Sequence, residues 1–260
     1  MNEEVLRSMI NEPSISAVVL KETSSTNDLL KSLANEGAPE GTLVLAEEQT
    51  AGRGRMGRSF YSPQGTGLYM SLLLRPEIYM KEALIITAMA AVAGAEAIDE
   101  LRRRKAPKCR IKWVNDLILD GRKICGILAE AAFSSSSKPD FIVIGIGFNV
   151  NTPVSAFPEE LRNTAGSLFS CTSKTVDREL LIGEMIRELD RMASDHMKEK
   201  NVYLSFYRSR SVTVGKNITV IRGDEKKPAF AESVSDSFAL RVRFADGSRE
   251  DLSTGEITIR

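Results

Sequence analysis

Residues Ala46–Pro76 read AEEQTAGRGRMGRSFYSPQGTGLYMSLLLRP, and the rest of the chain is organised around them. Within this stretch Arg53, Arg55 and Arg58 are interleaved with Gly52, Gly54 and Gly57, with no acidic residue among them. Glycine permits positive φ and a close backbone approach to a ligand. Arginine supplies a rigid fork of donors suited to carboxylate or phosphate. Together they predict a mobile loop that closes over an anion. Leu68, Met70, Leu72 and Leu74 then alternate with Tyr69, Ser71, Leu73 and Arg75, which predicts a strand anchoring the loop. The pattern is not a P-loop, which needs Gly-Lys followed by Ser or Thr. It is not the dinucleotide fingerprint either, because Glu47–Thr50 separates the loop from the strand predicted over Thr42–Ala46. Two plainer readings of the Gly/Arg run are a solvated loop and a nucleic-acid contact.

Composition narrows the classes. The 260 residues suit one large domain, alone or with a small appendage, and 42% hydrophobic with 27% charged residues supports a proper core. Lys+Arg and Asp+Glu balance at 35 each, without the basic excess of a dedicated nucleic-acid binder. Cys109, Cys125 and Cys171 lack C-x-x-C spacing and read as reduced thiols of a cytoplasmic protein. No apolar run reaches the length of a membrane span, and MNEEVLRSMI at the start is not a signal peptide. His196 is the only histidine and continues the helical stripe Ile182, Met185, Leu189, Met192. A Ser-His-Asp triad and a histidine-rich zinc site are therefore excluded.

Outward from the loop, Ser16–Leu20 reads as the first strand. Ser25 stands three residues before Asp28 at capping-box spacing, so Ser25, Thr26 and Asn27 open a helix and offer polar groups at its N-terminus. Residues 82–104 read as a long helix whose basic end, from Arg102 to Lys105, suits the negative pole of the helix dipole. In RIKWVNDLILDGRKICGILAE (Arg110–Glu130), Asp120-Gly121 between apolar runs is a hairpin signal. Strict alternation puts Lys123 on one face with Cys125 and Ile127, and Gly126 on the other. Asn115 and Asp116 lie on the outgoing strand, and Trp113 reads as core. Ser134–Pro139 reads as a flexible connection. Phe141–Gly147 reads as a buried strand ending in two glycines, where a ligand can approach. Pro158–Leu168 reads as a short helix, and Asp177 caps a longer one through Met197. From Val212 the runs become short and alternating, separated by Gly215, Gly223, Asp246-Gly247 and Gly255, which predicts a small all-β barrel. The boundary falls at Arg208–Ser211, giving units of residues 1–210 and 211–260.

These segments together resemble the biotin protein ligases, which attach biotin to a lysine of biotin-dependent carboxylases such as acetyl-CoA carboxylase. The matching pieces are S-T-N (Ser25–Asn27), Q-T-A-G-R-G-R-M-G-R (Gln49–Arg58), K-W-V-N-D (Lys112–Asp116), G-R-K-I-C-G-I-L (Gly121–Leu128), G-I-G-F-N-V-N (Gly145–Asn151) and G-E-I-T-I-R (Gly255–Arg260). They follow the family's order over nearly the whole chain. Each alone is weak, and the set is specific.

The resemblance implies an α/β catalytic domain built on a mixed sheet, followed by an SH3-like β-barrel. It implies that biotin and ATP, with Mg²⁺, give biotinyl-5′-AMP, from which a biotin carboxyl carrier domain accepts the biotinyl group. It assigns biotin binding to Ser25, Thr26, Asn27, Gln49, Gly52, Arg53, Gly54, Arg55, Lys123 and Gly126. It assigns nucleotide binding to Arg55, Arg58, Phe60, Asn115, Lys123 and Asn149, and catalysis to Lys123 and Arg55, with Asp116 orienting the incoming lysine. On this reading we expect Gly52–Arg58 to lack fixed structure in the free protein and to order over the adenylate, shielding it from water. The resemblance allows a homodimer paired along the sheet edge near Arg110–Val114. Only about 15 residues precede the first strand, too few for a three-helix DNA-binding unit, so no repressor activity, nucleic-acid partner or membrane partner is expected. Lys226–Phe230 and Ser235–Phe238 lack the glycines expected at turns of the barrel. The neighbouring reading is a lipoate ligase, whose family carries R-R-x-S-G-G-G where this chain has Gln49–Arg55. The reading from another class is a nucleic-acid module using the Gly/Arg loop.

Overall fold

The computed structural model describes residues 15–76, 79, 83–103, 107–134, 138–194 and 199–259. Its centre is a seven-stranded mixed sheet in the order β1-β2-β3-β7-β6-β5-β4. The strands are β1 (Ser16–Leu20), β2 (Thr42–Ala46), β3 (Gly67–Leu74), β4 (Arg110–Lys112), β5 (Asp116–Leu119), β6 (Arg122–Ala132) and β7 (Phe141–Asn149). Helix α1 (Thr26–Asn35) connects the parallel pair β1 and β2, and every other neighbour in the sheet is antiparallel.

Strand β7 explains the layering. Its residues Ile142, Ile144, Ile146 and Phe148 enter the main core, which also takes in α2 (Ala83–Leu101). That helix is apolar around its circumference, as a fully covered helix must be. It packs on the sheet and is covered outside by α4 (Arg178–Ser194) and α5 (Lys200–Arg210). On the opposite face of β7, Phe141 and Val143 join Leu30, Ala34, Val44 and Leu73 beneath α1. Farther along that face stand Gly145 and Gly147, where the sheet carries no side chains. The strand continues to Asn149, so these glycines lie inside it and do not end it as expected.

Two other expectations are corrected, and one helix is added. The single outgoing strand before Asp120 is two strands: β4 and β5 pair antiparallel around a turn at 113–115 that contains a cis Trp113–Val114 peptide. Both turn residues 113 and 114 are apolar and buried, so the sequence reads continuously through the reversal. Residues 158–168 are not one helix. A 3-10 turn at Glu159–Leu161 is followed by an irregular segment and then α3 (Leu168–Thr172), begun by a Ser167–Ser170 capping box. Helix α5 went unforeseen. It buries Tyr203, Leu204 and Tyr207, but its mixed composition carries no strong stripe. The capping of α4 by Asp177 is as expected: its Oδ1 accepts from Glu179 N at 2.9 Å. His196, Lys105 and residues 135–137, about which expectations were also drawn, lie outside the described residues.

The C-terminal part is a five-stranded antiparallel sheet of the SH3-like kind, ordered β11-β10-β9-β8-β12. Its strands are β8 (Asn217–Arg222), β9 (Glu225–Val234), β10 (Leu240–Phe244), β11 (Arg249–Leu252) and β12 (Glu256–Ile259). Lys226–Phe230 needs no glycine because it lies within β9, the turn being at Gly223-Asp224. At the next turn Phe238 itself adopts φ 61°, where glycine was expected. Its fully buried ring stacks edge-on against Tyr207 at 5.5 Å, and its carbonyl accepts from Trp113 Nε1 at 2.9 Å. Packing thus offsets the backbone cost of a non-glycine residue there.

The two sheets are fastened together. Val212 N donates to Ile111 O at 3.0 Å, and Trp113 N to Thr213 Oγ1 at 3.0 Å. The outer edge of β4, along which the resemblance allows a homodimer, is thereby occupied by the chain itself. Behind this junction the fully buried Asp99 accepts from Cys109 N and pairs with Arg210 at 2.8 Å.

Candidate active site

The site lies on the α1 face of the sheet, beyond the end of that helix. Gly145 and Gly147 make room for it. A Cβ at Gly145 would meet the Asn27 amide, and one at Gly147 would fall 2.6 Å from the Phe60 ring. Gly126, opposite Gly147 on β6, lies beneath Lys123 and Phe60 in the same way. The glycines admit a polar side chain and an aromatic ring to the sheet surface, which any larger residue would exclude.

At one end sits the start of α1. Ser25 caps the helix, accepting from Asp28 N. Thr26 donates through both its backbone N (2.9 Å) and its Oγ1 (3.0 Å) to Gln49 Oε1. Gln49 Nε2 in turn donates to Ser62 Oγ at 3.0 Å. Ser25, Thr26 and Asn27 are all nearly inaccessible to solvent, so their polar atoms require partners.

The arginine loop closes over the other end. Its backbone is hydrogen-bonded in a closed arrangement. Arg53 bridges to Ser59, Phe60 N donates to Gly52 O at 2.8 Å, and a 3-10 turn spans Arg55–Gly57. Arg55 reaches Asn115 Oδ1 at 3.0 Å and Gly255 O at 2.8 Å, and Arg58 pairs with Glu256 at 2.5 Å. The loop is thus held by the C-terminal sheet, about 200 residues away in sequence. Burial lowers the pKa of the Arg55 guanidinium, while Asp116 and Glu256 act to hold its charge. Arg53 points elsewhere, pairing with Asp28 at 2.5 Å and Glu130 at 3.2 Å. Partial burial raises the Asp28 carboxyl, but the hydrogen bonds and charges of Lys31 and Arg53 outweigh it and hold it below its ordinary range.

Lys123 corrects the expected alternation. A bulge between Leu117 and Ile118 pairs Leu117 with Cys125 but Ile118 with Lys123, leaving Ile124 as an extra residue. One extra residue reverses the facing of everything before it. Lys123 therefore shares the face of Gly126, not that of Cys125, and its ammonium lies over the glycine, 2.6 Å from Asp116 Oδ1. The Lys123 backbone is gripped by a strap, donating to Thr164 O and accepting from Gly166 N, both at 2.9 Å.

One cavity of about 800 Å³ collects these groups. Ser25, Thr26, Asn27, Gln49, Arg53, Gly54, Arg55, Arg58, Phe60, Asn115, Asp116, Lys123, Gly126 and Asn149 all line it. Gly52 does not. It is buried where a Cβ would strike Phe60 O at 2.5 Å and Ser62 Oγ at 2.6 Å, so its role is to let the loop's return segment pass. The sequence reading missed the strap residues Thr164 and Ala165, which carry no local signal. It also missed the part that Gly255 to Ile259 play in the cavity wall. The G-E-I-T-I-R motif was the available signal for those.

Fold and cavity define an α/β protein with a polar cavity between a helix start and an arginine loop. The chain belongs to the biotin/lipoate A/B protein ligase family, whose model matches residues 19–149. It is 40% identical over 174 residues to the bifunctional ligase/repressor BirA of Bacillus subtilis, covering 67% of this chain and 52% of the relative. It thus spans about half the length of that relative. It is 30% identical to the biotin–[acetyl-CoA-carboxylase] ligase of Mycobacterium tuberculosis, over 85% of this chain and 81% of that protein. Among solved structures, the biotin protein ligase of Aquifex aeolicus in complex with biotin and ATP superposes with a TM-score of 0.78 at 26% identity, over 94% of this chain and 98% of that one.

Proposed function

We propose that this chain activates biotin with ATP to biotinyl-5′-AMP and transfers the biotinyl group to a lysine of a biotin carboxyl carrier domain. The observation that carries this reading is the meeting in one cavity of the Ser25–Asn27 helix start, the arginine loop and the Lys123–Asp116 pair. The relatives' names as biotin ligases and the Aquifex complex with biotin and ATP support the same substrates.

In the first step a biotin carboxylate oxygen attacks the α-phosphorus of ATP and pyrophosphate leaves. Two anions must meet, and fixed cations in a water-poor cavity lower that repulsion. Lys123 and Arg55 have the position for this, with Arg58, Phe60, Asn115 and Asn149 towards the nucleotide. Ser25, Thr26, Asn27 and Gln49, with Gly126 beneath, take the polar head of biotin. Arg53 and Gly54 hold the loop closed, Arg53 through carboxylates of the protein. In the second step the acceptor amine attacks the mixed anhydride and AMP leaves. Asp116, beside Lys123, orients that amine and draws its proton away from the cavity's cations. No protein nucleophile is needed, so catalysis rests on positioning and charge.

Among the described residues no group of three metal-ligating side chains is present. Mg²⁺ fits this site as an ion carried by the nucleotide phosphates with one or two carboxylates, its usual mode, and Asp116 and Glu256 are the carboxylates that line the cavity. The ion would supply charge neutralisation on the phosphates. We divide the chain into a catalytic unit of residues 1–210 and an SH3-like unit of 211–260. A homodimer along the β4 edge would first have to displace Val212 and Thr213. No described helix is long and apolar enough to cross a membrane. Use of ATP, together with three free thiols, favours action in the cytoplasm.

The test is pyrophosphate release from Mg·ATP with biotin or lipoate as the acid, in wild type and Lys123→Ala. Release with biotin, lost in the variant, is expected. Release with lipoate alone, or with neither acid, overturns the reading.

A further inference from the structure

The strap that grips Lys123 is itself held by an arginine standing outside the cavity wall. The register of β7 on β6 runs from Ala132 down to Cys125. Beyond that point the strap takes the place of β7 beside β6, with Ala165 bridged to Lys123. Lys123 is thereby paired on both sides, with Ile118 of β5 and with the strap. Such pairing fixes the stretch of backbone from which its side chain leaves the sheet.

Between the 3-10 turn at Glu159–Leu161 and α3 the strap forms no helix or strand of its own. Its carbonyls at Arg162 and Ala165 instead converge on Arg122 Nη1, at 2.7 and 3.2 Å. Arg122 directly precedes Lys123 in β6 but does not line the cavity. The Arg162 guanidinium extends the brace, donating to Phe157 O at 2.9 Å and Ser155 O at 3.3 Å. The buried Phe157 ring in turn lies 6.0 Å from that of Tyr61, the neighbour of Phe60.

Gly166 points the same way independently. Its N donates to Lys123 O at 2.9 Å, and a Cβ there would fall 2.7 Å from Arg122 Cβ and 3.0 Å from Arg122 Cδ. A Cβ has no rotamer by which to retreat, so the strap lies this close to β6 only with glycine. Nor can the strap slide away freely, because the buried Ser167 donates to Thr152 O at 2.7 Å and caps α3.

We propose, resting on the biotin and ATP reading above, that Arg122 and Gly166 are positioning residues. Together they clamp the strap onto β6 and hold Lys123 where its ammonium meets both the biotin carboxylate and the α-phosphate. Neither touches substrate, and their effect is on alignment, where a displacement of about 1 Å can cost about a hundredfold in rate. Asn27 stands over Gly145, whereas the strap lies beyond the far end of β7, past Asn149. The head-group end is therefore left intact when the clamp is loosened, and the ammonium stays in the cavity to attract the carboxylate.

Arg122→Met keeps the stem and removes the donor, whereas Gly166→Ala adds the methyl for which the clamp has no room. The experiment measures kcat/KM for ATP by pyrophosphate release at saturating biotin, calorimetric Kd for biotin without nucleotide, and Tm, in wild type and both variants. Each variant should lose about tenfold or more in kcat/KM for ATP, with the Kd for biotin kept within about twofold. A merely structural brace would lower Tm while kcat/KM for ATP is kept, or weaken biotin and ATP alike, and either result overturns the proposal. The two variants loosen the strap by different means, so either gives the answer should the other not fold. Wild type that releases no pyrophosphate with biotin overturns the function itself, and the proposal with it.

Discussion

Replacing Gly145 with alanine tests how tightly the pocket is built. An added Cβ would stand well inside contact distance of Asn27 Oδ1, with Cγ at 2.8 Å and Nδ2 at 2.9 Å. The amide must retreat by more than half an ångström to reach the 3.4 Å of ordinary contact. It has little freedom to do so, being held by Glu130, Leu128 and Ser71 on two neighbouring strands and by the capped start of α1. Overpacking of this kind costs about 1–3 kcal/mol. Moving the amide off the Glu130 carboxylate costs about 1.5–3 kcal/mol, the worth of a hydrogen bond to a charged group. The expected result is biotin binding weakened about 10- to 100-fold, since each 1.4 kcal/mol is a factor of about ten. The assay is calorimetric biotin affinity, with ATP KM and a thermal melt alongside to separate local from global damage. A folded Gly145→Ala variant that binds biotin within about twofold of wild type would refute the reasoning, because the pinned amide would then be free to move.

Gly183 is the opposite case: nothing lies within 4 Å of an added methyl on helix α4. Gly183→Ala should stabilise the protein by about 0.5–1 kcal/mol, raising Tm by a few degrees, and a lower Tm would contradict the open helix surface. Burial pushes all three thiols up, Cys109 and Cys125 inside the core and Cys171 half-buried. At neutral pH a thiol reagent should therefore label Cys171 slowly and the other two only after denaturation; rapid labelling of three thiols in native protein would count against the core assignment. Asp28 has a folded pKa held below its ordinary value by Lys31 and Arg53 against the effect of burial. Its contribution is therefore complete at neutral pH and is lost only as pH falls below about 4, through the lowered folded value. Melts of wild type and Asp28→Asn should converge in that acid range, and a gap that widens there would refute the pairing.

The parts of this protein that were legible in advance are those written in local sequence. The hairpin at Asp120-Gly121, the Ser25 cap, the Asp177 cap and strands β1, β2 and β3 each depend on residues within one or two turns of each other. Nearly every residue assigned to the site also lines the cavity, because motif order carries chemistry even where geometry is unknown. Helix α5 and strands β9 and β11 escaped because their polar, charged faces blur the periodicity that marks an amphipathic element.

By itself the sequence determined the class of chemistry: a helix start with polar groups, an arginine-glycine loop, one lysine after a hairpin, and glycines where a sheet must be bare. Tertiary structure alone decided where those groups point. Lys123 faces the cavity because pairing of β5 with β6 places a bulge at Ile124, and a register is a property of two strands, not of one. Arg53 turns to Asp28 and Glu130, and Arg58 to Glu256, because those partners arrive from 25 to 198 residues away. Local pattern encodes what a segment can become, whereas the direction of a charge is settled by the distant groups that folding brings beside it.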